Sequence, residues 1–274
     1  MRRWSALARD YDQTVLSPFL DGVRFPLAGA LRRIAHRWHR DRSLDRRVAI
    51  DLGCGTGSAL PLLAQHFSLV VGIDFAPGML AASLQRVRQF RHDAMVLRDD
   101  AARGAAREIT NWTGSRQRKI LLARANLQHL RPLEQTADIA LAINSLVTVT
   151  DRGRTLFHAL ARVMRPGGVA ILVLPALDGL AYLLQLHRRY GYTPAPIESV
   201  NWQRGLVQDG SGFIQKYFLA DEIRDHLTAH GFRLTRIEPL RCPWAVVGAS
   251  GWGFFPRHPR IWDWYVEAIR SPMR

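Results

Sequence analysis

The chain is short of cysteine, of lysine and of long unbroken apolar runs, and the first and last of these shortages exclude something. Two cysteines in 274 residues, Cys54 and Cys242, cannot build a disulfide framework or a paired-thiolate metal site. A reducing cytoplasm is therefore the expected setting, and no metal is expected. The mostly apolar, uncharged stretches 139–150 and 166–177 each reach about half of the roughly 20 residues a membrane-spanning helix needs. Arg2, Arg3, Arg9 and Asp10 come before any apolar run, so no signal peptide is expected. Of the 38 basic residues only Lys119 and Lys216 are lysines.

What is present is positive charge on an ordinary globular composition. Lys+Arg outnumber Asp+Glu by 38 to 23, a formal +15, while 47% hydrophobic residues exclude a wholly disordered chain. The excess is concentrated in residues 1–47, with 11 Arg against five Asp, and in 86–119, with eight Arg and Lys119 against four acids. Such faces attract nucleic acid, anionic lipid or acidic small molecules. For any single arginine a solvated surface role is the alternative.

Residues 25–38 read as an amphipathic helix, with Leu27, Leu31, Ile34 and Trp38 at helical spacing and Arg32, Arg33, His36 and Arg37 between them. Buried parallel strands are expected at 48–52, 69–74, 120–125, 137–143 and 169–174, with helices at 58–67, 77–87 and 154–164 between them. Residues 91–118 are polar, basic and weakly periodic, and read as a partly helical insertion. Farther on come a helix over 179–190, a hairpin with strands 200–207 and 212–218, a helix over 219–230, and strands at 232–240 and 262–269. This alternation predicts an α/β, doubly wound sheet of seven strands, the last antiparallel, with an N-terminal helical lid and an added β-hairpin.

The strongest local signal is Asp51-Leu52-Gly53-Cys54-Gly55-Thr56-Gly57, which follows a strand and opens a helix. Glycines there let the backbone turn sharply and come close to a ligand. Asp74, at the end of the next strand, is placed to accept hydrogen bonds from ribose hydroxyls. Gly53, Gly55 and Ser58 nearly satisfy a dinucleotide fingerprint, so a nicotinamide cofactor stays open on spacing alone. Asp51 favours another ligand, because a carboxylate at the strand end repels a pyrophosphate and welcomes an ammonium group.

Together with Val71-Gly72-Ile73-Asp74, Arg124-Ala125-Asn126-Leu127, Ala137-Asp138-Ile139-Ala140 and Arg165-Pro166-Gly167-Gly168, this loop resembles the class I S-adenosylmethionine-dependent methyltransferases. The closest flavour is the UbiE-like, small-molecule branch, and the resemblance runs through about residues 48–176. Tyr217-Phe218-Leu219-Ala220-Asp221-Glu222-Ile223 and Trp262-Asp263-Trp264-Tyr265-Val266 resemble the late helix and last strand of that family. The resemblance implies that Asp51 and Gly53 hold the methionine end of S-adenosylmethionine, that Gly55 and Gly57 line it, and that Asp74 takes the ribose. It implies that Phe75 and Met79 flank the adenine with Leu127, although plain core packing is the alternative for these three. Asn126 falls where the family has an acid at the adenine amino group, and an amide can still accept that bond. Asn144 is expected beside the transferred methyl.

The implied activity is methyl transfer to a small-molecule O, N or C acceptor, anionic or lipophilic, by in-line displacement. Residues 1–47 form the helical lid and 48–274 the methyltransferase domain, with the basic insertion at about 91–118 and a cap and hairpin at about 178–218. No general base is identifiable from spacing; the candidates are Tyr11, His129, His158, His187 and Tyr190, and Trp202, Tyr192, Phe213 and Tyr217 are candidate aromatic walls. Strand four ends Asn144-Ser145-Leu146-Val147, with neither the Pro-Pro-aromatic loop of adenine methylation nor a Pro-Cys nucleophile, and no CxxxCxxC supports radical chemistry. A tRNA or rRNA methyltransferase, a non-catalytic S-adenosylmethionine-binding protein, and peripheral membrane contact through 25–38 remain as rival readings.

Overall fold

The computed structural model describes residues 2–8, 11, 18–19, 22–40, 46–90, 93–97, 101–112, 118–145, 154–191, 197–242 and 261–272. Tyr192, in the sequence reading an aromatic wall, lies outside them. Near the amino end stand α1 (Arg2–Leu7) and α2 (Leu27–Arg40). The strand–helix alternation then runs β1 (Val48–Leu52), α3 (Leu60–Ala64), β2 (Leu69–Asp74), α4 (Pro77–Gln89), β3 (Asp93–Leu97), α5 (Ala101–Thr110), β4 (Lys119–Arg124), β5 (Ala137–Ile143), α6 (Arg154–Val163) and β6 (Met164–Pro175). The remainder is α7 (Leu177–Tyr190), β7 (Ile197–Asn201), β8 (Leu206–Asp209), β9 (Ile214–Lys216), α8 (Ala220–Ala229), β10 (Phe232–Cys242) and β11 (Ile261–Arg270).

One sheet has the order β10-β11-β6-β5-β1-β2-β4-β3. All its neighbours are parallel except β11, which runs antiparallel to both β6 and β10. The strands are buried on both faces because helices cover both, which is why β1, β2 and β5 read as continuous apolar runs. Alternate residues serve opposite cores. Val48, Ile50, Val71 and Ile73 pack with α5, α6 and α8. Ala49, Val70, Ile139 and Val169 pack with α2, α3 and α4.

Three expectations need correction. The sheet has eight strands rather than seven, because Asp93–Leu97, inside the expected basic insertion, pairs parallel with β4 and becomes an edge strand. Its short apolar stretch Ala94-Met95-Val96-Leu97 is only half-buried, so burial left little pattern to read. The hairpin is instead a three-stranded meander, β7-β8-β9. Its first expected strand is broken at 202–205, where Asn201 Oδ1 accepts the Arg204 N–H at 3.0 Å and Gly205 has φ +62°. The second break follows Asp209, whose Oδ1 accepts the N–H groups of Ser211 and Phe213. Finally, β6 starts five residues earlier than expected, at Met164, with a register shift opposite β5 between Ala137 and Ile139.

The expected N-terminal lid contributes two different things. Leu27, Ala30, Leu31, Ile34 and Trp38 of α2 are buried in the core, leaving Arg32, Arg33, His36 and Arg37 exposed. By contrast α1 lies over the start of α4, with Gly78 N–H donating to Ser5 Oγ at 3.3 Å. No helix among the described residues is long and apolar enough to cross a membrane.

Asp138, 1% exposed, ties three strands together at the amino-terminal end of the sheet. It accepts from Arg47 at 2.7 Å, from Arg165 at 3.1 Å and from the Val48 N–H at 2.9 Å. Asp138→Ala removes the one acceptor that two guanidinium groups and a backbone N–H share. It should cost about 3 kcal/mol and lower the thermal midpoint by roughly 5–10 °C, read by circular dichroism.

Candidate active site

The glycine bend after β1 is set by three residues in the left-handed region, Gly53 (φ +75°), Gly55 (φ +52°) and Gly57 (φ +81°). Two of them are required by crowding: a Cβ on Gly53 would collide with Ser145, and one on Gly57 with Ser83. Gly55 is different, since a Cβ there would meet nothing within 4 Å. It faces open space at the carboxyl edge of the sheet.

That space is a cleft of about 690 Å³ walled by Gly53, Gly55, Asp74, Phe75, Met79, Ala125, Asn126, Leu127, Ile143, Asn144, Ser145, and by Trp4 and Tyr11 from above. A second cavity of about 430 Å³ adjoins it, sharing Tyr11, Gly53, Gly55, Ile143 and Asn144 and adding Asp51, Thr56, Ser58, Pro18 and Phe19. Nine of the ten sequence-predicted binding residues thus stand on these walls, and Gly57 sits behind them. Of the five candidate bases only Tyr11 is there. His129 is exposed on the turn after Asn126, and His158 is exposed on α6, within 3.0 Å of Arg162. His187 is buried on α7, and Tyr190 lies at the outer end of that helix. Among the candidate aromatic walls, Phe213 meets the roof through Trp4, at 5.6 Å between rings, while Trp202 is exposed away from it. Trp4, Phe19, Ile143 and Ser145 were missed. A lone aromatic near the amino end carries no spacing signal, since what brings it to the cleft is the docking of α1 on α4.

The two carboxylates differ in their surroundings. Asp74 Oδ2 accepts the Gly55 N–H at 3.0 Å and its Oδ1 the Ala76 N–H at 2.8 Å. Burial pushes its carboxyl up, with the Ala76, Gly55 and Phe75 N–H groups pulling the other way. Asp51 is 3% exposed and has no hydrogen bond or ion pair among the described residues. Burial, and then the Asp74 charge, push it up to about 7. A buried carboxylate lacking any partner beside an open cavity fits a cationic group of a ligand. Cys54, next to both acids, is held as a thiol by burial and their charges, and so offers no nucleophile.

Asn126 is already occupied as a cap: its Oδ1 accepts the Gln128 N–H at 3.0 Å and opens the 3-10 turn Leu127–His129. Its amide nitrogen and the second lone pair of Oδ1 are left for a ligand. No group of His, Cys, Asp and Glu among the described residues could hold a metal.

Residues 50–172 match the family model described as a methyltransferase domain. Over 137 residues the chain is 32% identical to the trans-aconitate 2-methyltransferase of Methylobacterium radiotolerans, covering 49% of this chain and 40% of that one. The protein of the same name from Delftia acidovorans is 29% identical over 131 residues, covering 47% and 38%. The chain thus spans less than half the length of the curated relatives it matches. Among solved structures, magnesium protoporphyrin IX methyltransferase from Synechocystis with bound S-adenosylhomocysteine superposes with a TM-score of 0.55 at 16% identity, covering 97% of this chain and 95% of that one. At that identity the likeness is one of fold.

The Asp51 environment makes a pH prediction. With a folded value near 7 against an ordinary 3.8, the folded state holds a proton that the unfolded state has lost between those values. The contribution of Asp51 to stability is therefore full below about pH 4 and disappears as pH rises through 7. Urea midpoints of the wild type relative to Asp51→Asn should fall across that window; a constant difference would contradict the assignment.

Proposed function

From the premise that residues 50–172 form a methyltransferase domain of the class I, S-adenosylmethionine-dependent type, we propose that the protein transfers a methyl group to a small-molecule acceptor. One observation carries the reading: the unpaired Asp51 carboxylate beside the glycine bend, one cavity away from Asp74. In this reading Asp51 faces the cofactor's amino group, and Gly53 and Gly55 leave room for its chain. Asp74 takes the ribose, while Phe75, Met79 and Leu127 flank the adenine and the Asn126 amide nitrogen reaches its edge. Gly57 acts from behind by letting the bend close on Ser83.

When bound, S-adenosylmethionine supplies a methyl on a positively charged sulfur, which an acceptor lone pair displaces in line. The chain's own part is alignment, worth about 7–11 kcal/mol in well-oriented systems. Trp4, Tyr11, Pro18 and Phe19 roof the cleft and keep water from the reacting atoms. In this division Trp4, Tyr11, Pro18 and Phe19 of the 1–47 segment supply the roof, α2 packs beneath the sheet, and 48–274 is the transferase body. Two free, buried thiols accord with a cytoplasmic setting.

The rival readings have less support. The 86–119 segment, whose charge suggested a phosphate track, is folded into the sheet edge as β3 and α5, with Lys119 paired to Glu108 at 2.6 Å. Membrane contact through α2 would have to use its arginines alone, since its apolar face is buried against the sheet.

Calorimetric titration tests the cofactor. S-adenosylmethionine should bind and a nicotinamide dinucleotide should not. Asp74→Ala should weaken binding by about 1.5–3 kcal/mol, the worth of hydrogen bonds to a charged group. Gly55→Val should abolish it, because the side chain would stand in the cleft. Unchanged affinity in either variant would remove that residue from the site. Transfer of labelled methyl to a component of a small-molecule extract tests the activity.

A further inference from the structure

The methyltransferase reading leaves the acceptor open, and the end of β5 narrows it. Asn144 sits there with φ +47°, a left-handed conformation that Asn tolerates better than most side chains. Its backbone N–H donates to Val173 at 2.9 Å, fixing it beside β6. Its side-chain Nδ2 donates to Asp263 Oδ2 at 3.4 Å. A carboxylate only accepts, so Asp263 decides which way the amide faces, and Oδ1 is turned away from it. That Oδ1 is buried and has no hydrogen-bond partner among the described residues. The next residue repeats the situation: Ser145 Oγ is buried without a partner, against the glycine bend. Both residues line the cleft, and Asn144 lines both cavities. Two adjacent orphaned oxygens in a cleft wall are costly unless a ligand satisfies them.

Charge points the same way. Among the described residues no Arg, Lys or His lines either cavity, whereas Asp51 and Asp74 do. Asp263 stands behind Asn144 and is itself held by the Ala176 N–H, with the phenol of Tyr217 and the thiol of Cys242 near it and neither carrying positive charge. A bound S-adenosylmethionine carries a net +1, facing the acids Asp51 and Asp74 with Asp263 behind Asn144. A carboxylate on the acceptor would enter an already negative place.

We infer that the acceptor is an uncharged hydroxyl, donating to Asn144 Oδ1, or an uncharged amine, donating to Asn144 Oδ1 and Ser145 Oγ, with Asp263 as the positioning residue that orients Asn144. This rests on the methyltransferase reading and goes beyond it to the substrate class. It also gives the site a means of telling substrate from product. A hydroxyl that donates to Asn144 keeps a lone pair for the methyl; as that lone pair bonds carbon the sulfur–methyl bond breaks, S-adenosylhomocysteine leaves, the hydroxyl proton goes to solvent, and the ether has no hydrogen to donate. The ether then leaves Asn144 Oδ1 unsatisfied again, which favours its release.

The test uses matched fragments on the full chain saturated with S-adenosylhomocysteine, with dissociation constants from ligand-observed NMR. Phenol is compared with anisole, aniline with N,N-dimethylaniline, and trans-aconitate is included. Phenol and aniline should each bind about fivefold to tenfold more tightly than the methylated twin, the worth of one hydrogen bond, and trans-aconitate more weakly than phenol. Asp263→Ala should reduce the ratio within each pair to near one. Asp263→Asn, which keeps one oxygen for the Asn144 amide, should restore most of it. A merely structural role for Asp263 would lower both members of a pair alike. Equal binding of donor and blocked fragments in the wild type, absence of fragment binding, tighter binding of trans-aconitate, or unchanged ratios in Asp263→Ala would each overturn the inference. Failure of S-adenosylhomocysteine to bind would instead remove the methyltransferase reading beneath it.

Discussion

The site is organised around one carboxylate and the bend it holds. Asp74, at the end of β2, accepts the Gly55 N–H across the gap between the first two strands. The bend is thereby fixed to the sheet edge and not left as a free loop. The N–H groups of Gly53 and Cys54 both donate to the Ile73 carbonyl, at 2.7 and 2.9 Å, which pins the same bend from the other side. With the turn held in this way, Asp51 is left buried and unpaired and Gly55 is left facing open space. The cleft follows from those two consequences.

Local and global charge have opposite signs here. The chain carries +15 overall, yet the charged residues lining the described cleft are Asp51 and Asp74, with Asp263 behind. The positive charge lies elsewhere: on the outer face of α2, and in the Asp138 node, where Arg47 and Arg165 neutralise a buried acid. A basic surface therefore says little about what enters this cleft. At the cleft wall, buried acids outweigh distant, solvated arginines.

Much of the central sheet was legible in the sequence because strands buried on both faces print as short, continuous apolar runs. The runs at 48–52, 69–74 and 137–143 have the observed bounds. Where burial was partial, the pattern faded: β3 is half-buried at the edge and was absorbed into a polar segment. The meander was misjudged for another reason, since the Asn201 and Asp209 side chains break the chain locally with hydrogen bonds that hydropathy does not register. The cleft walls that come from the strand ends were readable from the glycine and acid spacing. The roof and the histidines were not, because they reach or miss the cleft by packing between distant segments.

Sequence alone determined the alternation of strands and helices, the glycine bend, and the placement of Asp51 and Asp74 at neighbouring strand ends, because each rests on neighbours within about 25 residues or on burial periodicity. Only the tertiary structure decided that Tyr11, and none of the four other candidate bases, stands at the cleft, and that Asp263, 119 residues beyond Asn144, orients its amide. Contacts of that separation depend on how β11 is inserted between β6 and β10. Strand order is a property of the packed sheet, and no local run of residues encodes it.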